Sequence, residues 1–400
     1  MKVLLHCVYY PPEIGGLESH VAGLAEGLVA RGHEVRVVTS LSRPDLPARE
    51  RRNGVHIIRT RLPSRTPSGW AGHAVGSVPA TVREARWADV LHAQTFASAV
   101  PVGIAASLTH KVWVTSFHTS HFLARSDRPG WKPILRTLVR WPDHALAASS
   151  EIAQVGERLA PGTRVEALVN GVDTGAFRAT VPTFPGSHGE RWVVVPRRLV
   201  SKNGVEFLVR AAPEILRKIP QARFLIIGDG PERRALELLA GELGVVSALR
   251  FLGARPHDEM PGLLCSAEIA ILPSLMEATS VAALEAMACE RPVVATRVGG
   301  LPEIVDDEVG ALVAPGDPQA LARGVVGLLE GGDLAGMGQR ARERVVSRWS
   351  NARLVDRHIA IYQDLLAGRP VSAPGTGDTG NCESGHCAPG TGKSGTVERE

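Results

Sequence analysis

Two glutamates, Glu277 and Glu285, stand eight residues apart in Ser274–Ala288, the first ahead of an apolar helical pattern and the second inside it. At ~1.5 Å of rise per residue they can lie up to ~12 Å apart along the axis. Between them the start of the helix leaves backbone N–H groups at Ser280 and Val281 without intrahelical partners, and the dipole there favours an anion such as a diphosphate. Taken alone, the spacing also fits an amphipathic helix with two solvated glutamates. Val281, Ala282, Leu284, Ala286 and Met287 argue otherwise for Glu285, because a carboxylate among apolar side chains needs partners. The separation matches the two ends of a folded nucleotide-sugar. A second group of interest is His118, in Thr115–His121 (TSFHTSH), directly after a strand-like run. In parallel sheets the carboxyl ends of strands face the binding crevice. His121 and His20 are the weaker histidines.

The elements that must hold these residues alternate. Val3–Leu5, Glu34–Thr39, Gly54–Thr60, Asp89–His92, Val112–Thr115 and His144–Ala148 read as strands, with apolar helical stretches between them. Residues 43–65 form a basic, Pro-rich excursion with seven arginines. Residues 177–191 contain two prolines, two glycines and no periodicity. The alternation then restarts, with strands expected at Trp192–Val195, Arg223–Ile227, Leu249–Leu252, Ile269–Leu272 and Val293–Ala295. Helices are expected at Val205–Arg217, Glu232–Leu243, Val281–Ala288, Ala320–Trp349 and Asn351–Leu366. Such alternation predicts parallel sheets wrapped by helices. The expected fold class is therefore α/β, two Rossmann-like domains facing a cleft. The divisions are 1–178, a linker at 179–191, a second domain at 192–350, a helix at 351–366 and a disordered Gly/Ser/Thr/Pro-rich tail at 367–400. Cys382, His386 and Cys387 in that tail make a weak metal motif.

The 400 residues suit two domains, and 44% apolar with 22% charged residues excludes wholesale disorder. The 42 glycines and 28 prolines predict many turns. No apolar run approaches the ~18 residues that span a bilayer. Five scattered cysteines fit a reduced compartment. With no signal peptide read at the start, the expected location is cytoplasmic, with the inner face of the cell membrane as a site of attachment. The net charge of +4 conceals an excess of seven positive charges in residues 1–180 and of three negative charges in the remainder. The basic half favours an anionic partner.

The segment around Glu277 and Glu285 resembles the Glu-x7-Glu signature of retaining, nucleotide-sugar-dependent glycosyltransferases of family four, the glycogen-synthase-like group with the GT-B fold. Arg291–Val305 matches the stretch downstream of that signature. Pro196–Gly204 (PRRLVSKNG) is similar to the family's Gly-Arg-Leu…Lys-Gly motif, departing from it with Arg197 where the family usually has Gly. Asn170–Asp173, Gly228–Pro231 and the Gly15–Gly16 loop are further matches, in the right order over residues 1–366. Ser280 stands where many members have Gly.

The resemblance implies roles. Arg198 and Lys202 neutralise the donor diphosphate as the leaving group gains charge. The physics agrees, since Arg offers a planar fork and Lys a mobile point charge. Glu285 accepts hydrogen bonds from the ribose diol, and Glu277 contacts the hydroxyls of the transferred sugar. Gly16 lets the first loop approach the phosphates. Gly228, Gly230, Ser280 and Val281 complete the donor-binding set. His118 resembles the family's active-site histidine. The family also implies that the last helix crosses back to the first domain. No cofactor or metal is expected. There is no Asp-x-Asp motif, no Gly-x-Gly-x-x-Gly after Ile227, and no His- or Cys-rich zinc cluster.

The expected reaction is transfer of a sugar from a nucleoside diphosphate sugar to an acceptor hydroxyl, in cell-envelope glycan, glycolipid or small-molecule glycoside synthesis. The alternative is a nucleotide-sugar epimerase of GT-B-like fold. Expected partners are the donor, a hydroxyl acceptor of lipid-linked or phosphorylated type, and an anionic membrane surface. The membrane expectation rests on the basic–aromatic stretch Arg125, Arg128, Trp131, Lys132, Arg136, Arg140 and Trp141. Nucleic acid is not expected, because no binding motif is present.

Overall fold

Runs such as Lys2–His6 (KVLLH), Arg191–Pro196 (RWVVVP) and Ile269–Leu272 (IAIL) carry apolar residues without polar alternation. They are sheltered only where helices cover both faces of a sheet. The computed structural model describes residues 1–13, 15–118, 120–184 and 189–373. The Cys382–Cys387 motif and most of the expected disordered tail lie outside the described residues.

The first lobe holds β1 (Lys2–His6), β2 (Glu34–Leu41), β3 (Arg49–Arg52), β4 (Val55–Arg61), β5 (Val90–Ala93), β6 (Val112–Phe117), β7 (His144–Ala147) and β8 (Val165–Ala167). Their order is β3-β4-β2-β1-β5-β6-β7-β8. The second lobe holds β9 (Arg191–Pro196), β10 (Ala222–Ile227), β11 (Leu249–Gly253), β12 (Ile269–Leu272), β13 (Val293–Thr296) and β14 (Gly310–Val313), in the order β11-β10-β9-β12-β13-β14. Apart from β3 with β4, these strands pair in parallel. Strand order reverses at β1/β5 in one sheet and at β9/β12 in the other, and a crevice forms at such switch points. Each sheet has an apolar core on both faces.

Three elements differ from the sequence reading. Within the basic excursion at 43–65, Arg49–Arg52 pairs antiparallel with Val55–Arg61. The turn is Asn53-Gly54, with φ of 50° and 81°, the pair that a tight two-residue hairpin demands. The helix expected over 320–349 is two, Pro318–Gly331 and Leu334–Arg348. Gly332 is extended, and the Asp333 side chain caps the second helix by accepting from the Gly336 N–H. Adjacent glycines followed by a good capping residue are a stop and a restart. Finally, β8 and β14 are strands where none was expected.

The chain crosses between the lobes twice, side by side. Val172 N–H donates to the Trp349 carbonyl at 2.9 Å and Asn351 N–H to the Val172 carbonyl at 2.8 Å. The helix Asn351–Leu366 then lies on the first lobe, where Val355, Ile361 and Tyr362 join the core beneath β1 and β2. It is anchored electrostatically as well. Arg357 donates to both oxygens of Glu166 at 2.7 and 2.8 Å, and His144 meets the same carboxylate at 3.0 Å. Burial alone would raise the Glu166 carboxyl. The hydrogen bonds from His144 and Arg357, with the Arg357 charge, outweigh it and bring the group down to about 2.

Candidate active site

The second-lobe wall grows from the ends of β9 and β12. After Pro196 the chain presents Arg197 and Arg198, then makes a short turn at Ser201–Asn203. The Asn203 amide donates to the Arg198 carbonyl at 2.8 Å. The Lys202 carbonyl accepts the N–H of Leu275 at 2.8 Å and of Met276 at 3.3 Å, which ties this turn to the loop carrying Glu277. Gly299 supports that loop from below. Its φ is +55°, and a Cβ there would lie 1.8 Å from the Glu277 carbonyl oxygen, so no other residue fits. The loop ends at Ser280, whose hydroxyl accepts the Ala283 N–H at 3.3 Å and caps the helix Val281–Ala288. The end of that helix opens on a cavity of about 460 Å3 between the lobes.

Arg198, Lys202, Glu277, Ser280 and Val281 line this cavity, together with Gly16 and His118 from the first lobe. Gly16 opens the helix Gly16–Ala30, so two helix N-termini face one another across the cleft. A Cβ on Gly16 would stand 3.4 Å from the Val281 side chain, an ordinary contact. Burial lowers the Lys202 ammonium, and Arg198 and Arg197 lower it further against the opposing pull of Glu277. A cation crowded by cations is poised to take up an anion.

Three expected donor residues lie off the cavity. Glu285 is buried one turn further along, where His257 Nε2 meets its Oε1 at 2.8 Å. The hydrogen bond to Glu285 raises the His257 imidazole in spite of its burial. Gly228 and Gly230 do not line the cleft. A Cβ on either would collide with the Arg197 or Leu199 carbonyl at 2.1 or 2.2 Å, so these glycines let the loop after β10 pack beneath the arginine segment. The backbone of Gly228 sits at φ +146°.

In the sequence Arg197 is a departure from the family with no role of its own. In the structure its guanidinium is buried and contacts both the Ser274 hydroxyl and the Glu277 carboxylate. The basic residue in the family's glycine position therefore orients the glutamate of the site.

The first-lobe wall is neutral. His118 follows β6 and is buried, with Nδ1 2.9 Å from the Asn170 side-chain oxygen and Nε2 3.0 Å from that of Gln94. Burial pushes its imidazole down to about 3, the Asn170 hydrogen bond opposing. His20 stacks on His118 with ring centroids 4.5 Å apart, and His121 lines the cavity beside Trp70. Glu18 also lines it, and burial raises its carboxyl.

Part of the basic–aromatic stretch makes contacts within the molecule, while Arg128, Lys132, Arg136, Arg140 and Trp141 are exposed. Arg136 and Arg140 donate to the Leu159 and Pro161 carbonyls. Arg125 lies over Phe96 and Trp131, and Trp141 packs edge-on against Trp113. Among the described residues, no helix is long and apolar enough to cross a membrane.

With this geometry in view, comparison with known proteins gives the class. Residues 190–331 match the family model described as glycosyl transferases group 1, and residues 14–176 match the model for glycosyltransferase family 4. An uncharacterized glycosyltransferase of Methanocaldococcus jannaschii is 32% identical over 81% of this chain and 88% of its own. The D-inositol 3-phosphate glycosyltransferase of Acidothermus cellulolyticus is 30% identical over 90% and 88%. In fold, the chain is similar to a sucrose-phosphate synthase from Thermosynechococcus elongatus, with a TM-score of 0.81 at 22% identity over 92% of this chain and 99% of that one. The chain belongs to glycosyltransferase family 4. It is a glycosyltransferase with two Rossmann-like domains in the GT-B arrangement.

Proposed function

We propose that this glycosyltransferase moves a sugar from a nucleoside diphosphate sugar to an acceptor hydroxyl with retention of anomeric configuration. One observation carries the reading. Arg198, Lys202, Glu277 and the free end of the helix Val281–Ala288 converge on one interlobe cavity, opposite Gly16 and His118. A diphosphate in that cavity meets two cations and the N-terminal ends of two helices, the environment that stabilises a phosphate leaving group. Arg198 and Lys202 take the charge-neutralising part. Glu277, oriented by Arg197, accepts hydrogen bonds from the sugar hydroxyls. Glu285 receives the ribose diol from beneath the helix end, sharing its carboxylate with His257. Gly228 and Gly230 serve the donor by supporting Arg197 and Arg198 from below. The basic first lobe receives the acceptor, and a hydroxyl compound bearing phosphate suits its charge. The relative named as a D-inositol 3-phosphate glycosyltransferase supports that class.

Neither cleft carboxylate is set up as a free anionic nucleophile. Glu277 is held by Arg197 and Ser274, and burial raises the Glu18 carboxyl against its backbone hydrogen bond and the Arg198 charge. The favoured route is therefore front-face. The acceptor oxygen bonds to the anomeric carbon as the bond from that carbon to the diphosphate breaks. The acceptor proton passes to the departing phosphate oxygen. Closure of the lobes keeps water from the activated sugar.

A thermal-shift screen against UDP- and GDP-sugars tests the donor assignment. A true donor at 100 times its dissociation constant stabilises the protein by about 2.7 kcal/mol. Proton NMR of the product of the binding sugar then reads the anomeric configuration. An inverted product overturns the stereochemical reading. An epimerised nucleotide-sugar formed without acceptor overturns the transfer itself.

A further inference from the structure

A line of buried polar side chains runs from the cleft to the returning helix. His118 Nε2 faces the Gln94 oxygen at 3.0 Å, and the Gln94 nitrogen faces His92 Nδ1 at 3.1 Å. His92 Nδ1 also faces the Tyr362 hydroxyl at 2.6 Å, and His92 Nε2 faces the Ser116 hydroxyl at 2.7 Å. His92, Gln94, Tyr362, Ser116 and His118 are all buried, so their polar atoms look to protein groups for partners. His92, Gln94 and His118 belong to the ends of β5 and β6, whereas Tyr362 comes from Asn351–Leu366, 270 residues from His92 in sequence.

Taking the phenol as the donor to His92 orders the remaining hydrogens along the line. Burial holds the phenol of Tyr362 protonated and both imidazoles neutral. A neutral imidazole has one donor and one acceptor nitrogen. Among the described residues, His92 is the partner of the Tyr362 hydroxyl, so the phenol donates to His92 Nδ1. His92 then carries its proton on Nε2 and donates to Ser116. Its Nδ1 accepts the amide nitrogen of Gln94, which turns the Gln94 oxygen toward His118. His118 then carries its proton on Nε2 and donates to the Gln94 oxygen, and the arrangement closes with the Asn170 amide turned so that its nitrogen faces the ring in place of the oxygen that lies 2.9 Å from Nδ1. The orientation of an amide and the tautomer of a histidine follow from such a network, and one buried proton sets all of them.

We propose that Tyr362 is a positioning residue for the cleft: through His92 and Gln94, its hydroxyl fixes the tautomer and ring orientation of His118. Both nitrogens of His118 are then held by protein amides, and the ring serves as a fixed neutral surface for the bound sugar. The returning helix thereby contributes to the site without touching it. The catalytic consequence rests on the proposed function; the tautomer does not.

The test is the substitution Tyr362→Phe, read first by 15N-detected NMR of the histidine rings in the full chain. The expected result is a shift of both His92 and His118 ring nitrogens, because the proton that orders the chain is gone. Unchanged His118 nitrogens in the folded variant overturn the proposal. Should Tyr362→Phe fail to fold, Gln94→Met cuts the line next to His118 while leaving Tyr362 on His92. A displaced His118 with an undisturbed His92–Tyr362 contact supports the relay, and an unchanged His118 overturns it. With the donor in hand, Tyr362→Phe is expected to lower kcat on the order of ten- to hundredfold, as small misplacements of a reacting geometry do, with donor KM nearly unchanged. A rise in KM alone overturns the positioning role. If no donor is turned over by the native chain, the proposed function fails, yet the NMR result still decides the tautomer.

Discussion

On the second-lobe side of the cleft, Arg197, Arg198, Lys202 and Glu277 sit in loops at the ends of strands, charged and in part open to solvent. On the first-lobe side, His118 rests on Gln94 and Asn170, buried and neutral, with His92 and Tyr362 behind it. The charged wall brings Arg198 and Lys202 to the cavity. On the neutral wall, burial pushes the His118 imidazole down to about 3. The difference separates two tasks. One wall is charged, and the other holds His118 by hydrogen bonds within the protein, because in a dry environment an unsatisfied polar atom is costly.

The largest expected effect falls on the neutral wall's anchor. Arg357→Ala leaves Glu166 buried with only His144 beside it, and a broken buried pair costs about 3–5 kcal/mol of stability. Urea unfolding measures this. The pH dependence has a definite sign. Glu166 titrates at about 2 in the folded chain and near 4.5 when free, so its contribution is complete above pH 4.5 and is lost as pH falls toward 2. The variant should show a flatter acid limb, and an acid limb as steep as that of the native chain would contradict the anchor.

The charged wall is next. Lys202→Ala should lower kcat by about 10²–10³, the usual loss on removing one group that stabilises developing charge. Circular dichroism should be unaltered. Native turnover in this variant would move the diphosphate elsewhere.

A smaller effect is expected at the helix interior. The His257–Glu285 pair stabilises the fold at pH below the ordinary histidine range and loses that contribution as pH rises through the elevated His257 value. The pair is half exposed on the histidine side, so His257→Asn should cost about 1 kcal/mol or less. Melting temperatures of the two proteins should converge between pH 6 and pH 9. Divergence in that interval would reverse the assigned sign.

The smallest effect is an absence with a clear measurement. With His118 near 3, the pH profile of kcat between pH 5 and 8 should carry no limb due to this residue. A limb near pH 6.5 that disappears in His118→Gln would make His118 a proton acceptor and erase the contrast between the walls.

Much of the charged wall was legible in sequence because its parts are local. Glu277, Ser280 and Val281 belong to one loop and the helix it starts, and Arg198 and Lys202 to one turn. Spacing along an element of fixed rise translates directly into geometry. The strand–helix alternation was legible for the same reason, since a buried parallel strand declares itself as an apolar run. The hairpin at Asn53–Gly54 carried a strong turn signal that the arginine-rich composition obscured. The break at Gly332–Asp333 was likewise visible as a glycine pair before a capping residue. Glu285's partner His257 was not legible, since the two come from different elements 28 residues apart.

On the neutral wall His118 was legible from its place after a strand, but its hydrogen-bond partners were not. Gln94, Asn170 and Tyr362 are ordinary residue types whose spacing carries no period, and their roles arise only when the last helix returns to the first sheet. The amino-acid order by itself determined the two α/β series, the apolar strands and the cluster of cations and carboxylates at strand ends, because those follow from local propensity and short-range spacing. Only the tertiary structure decided that Arg197 would grip Glu277, that Gly228 and Gly230 would support the arginine segment from below, and that a phenol near the end of the chain would reach the histidine behind the cleft. Hydrogen bonds and ion pairs between distant segments depend on distances of a few tenths of an ångström, which no pattern of residue types specifies until the lobes have packed.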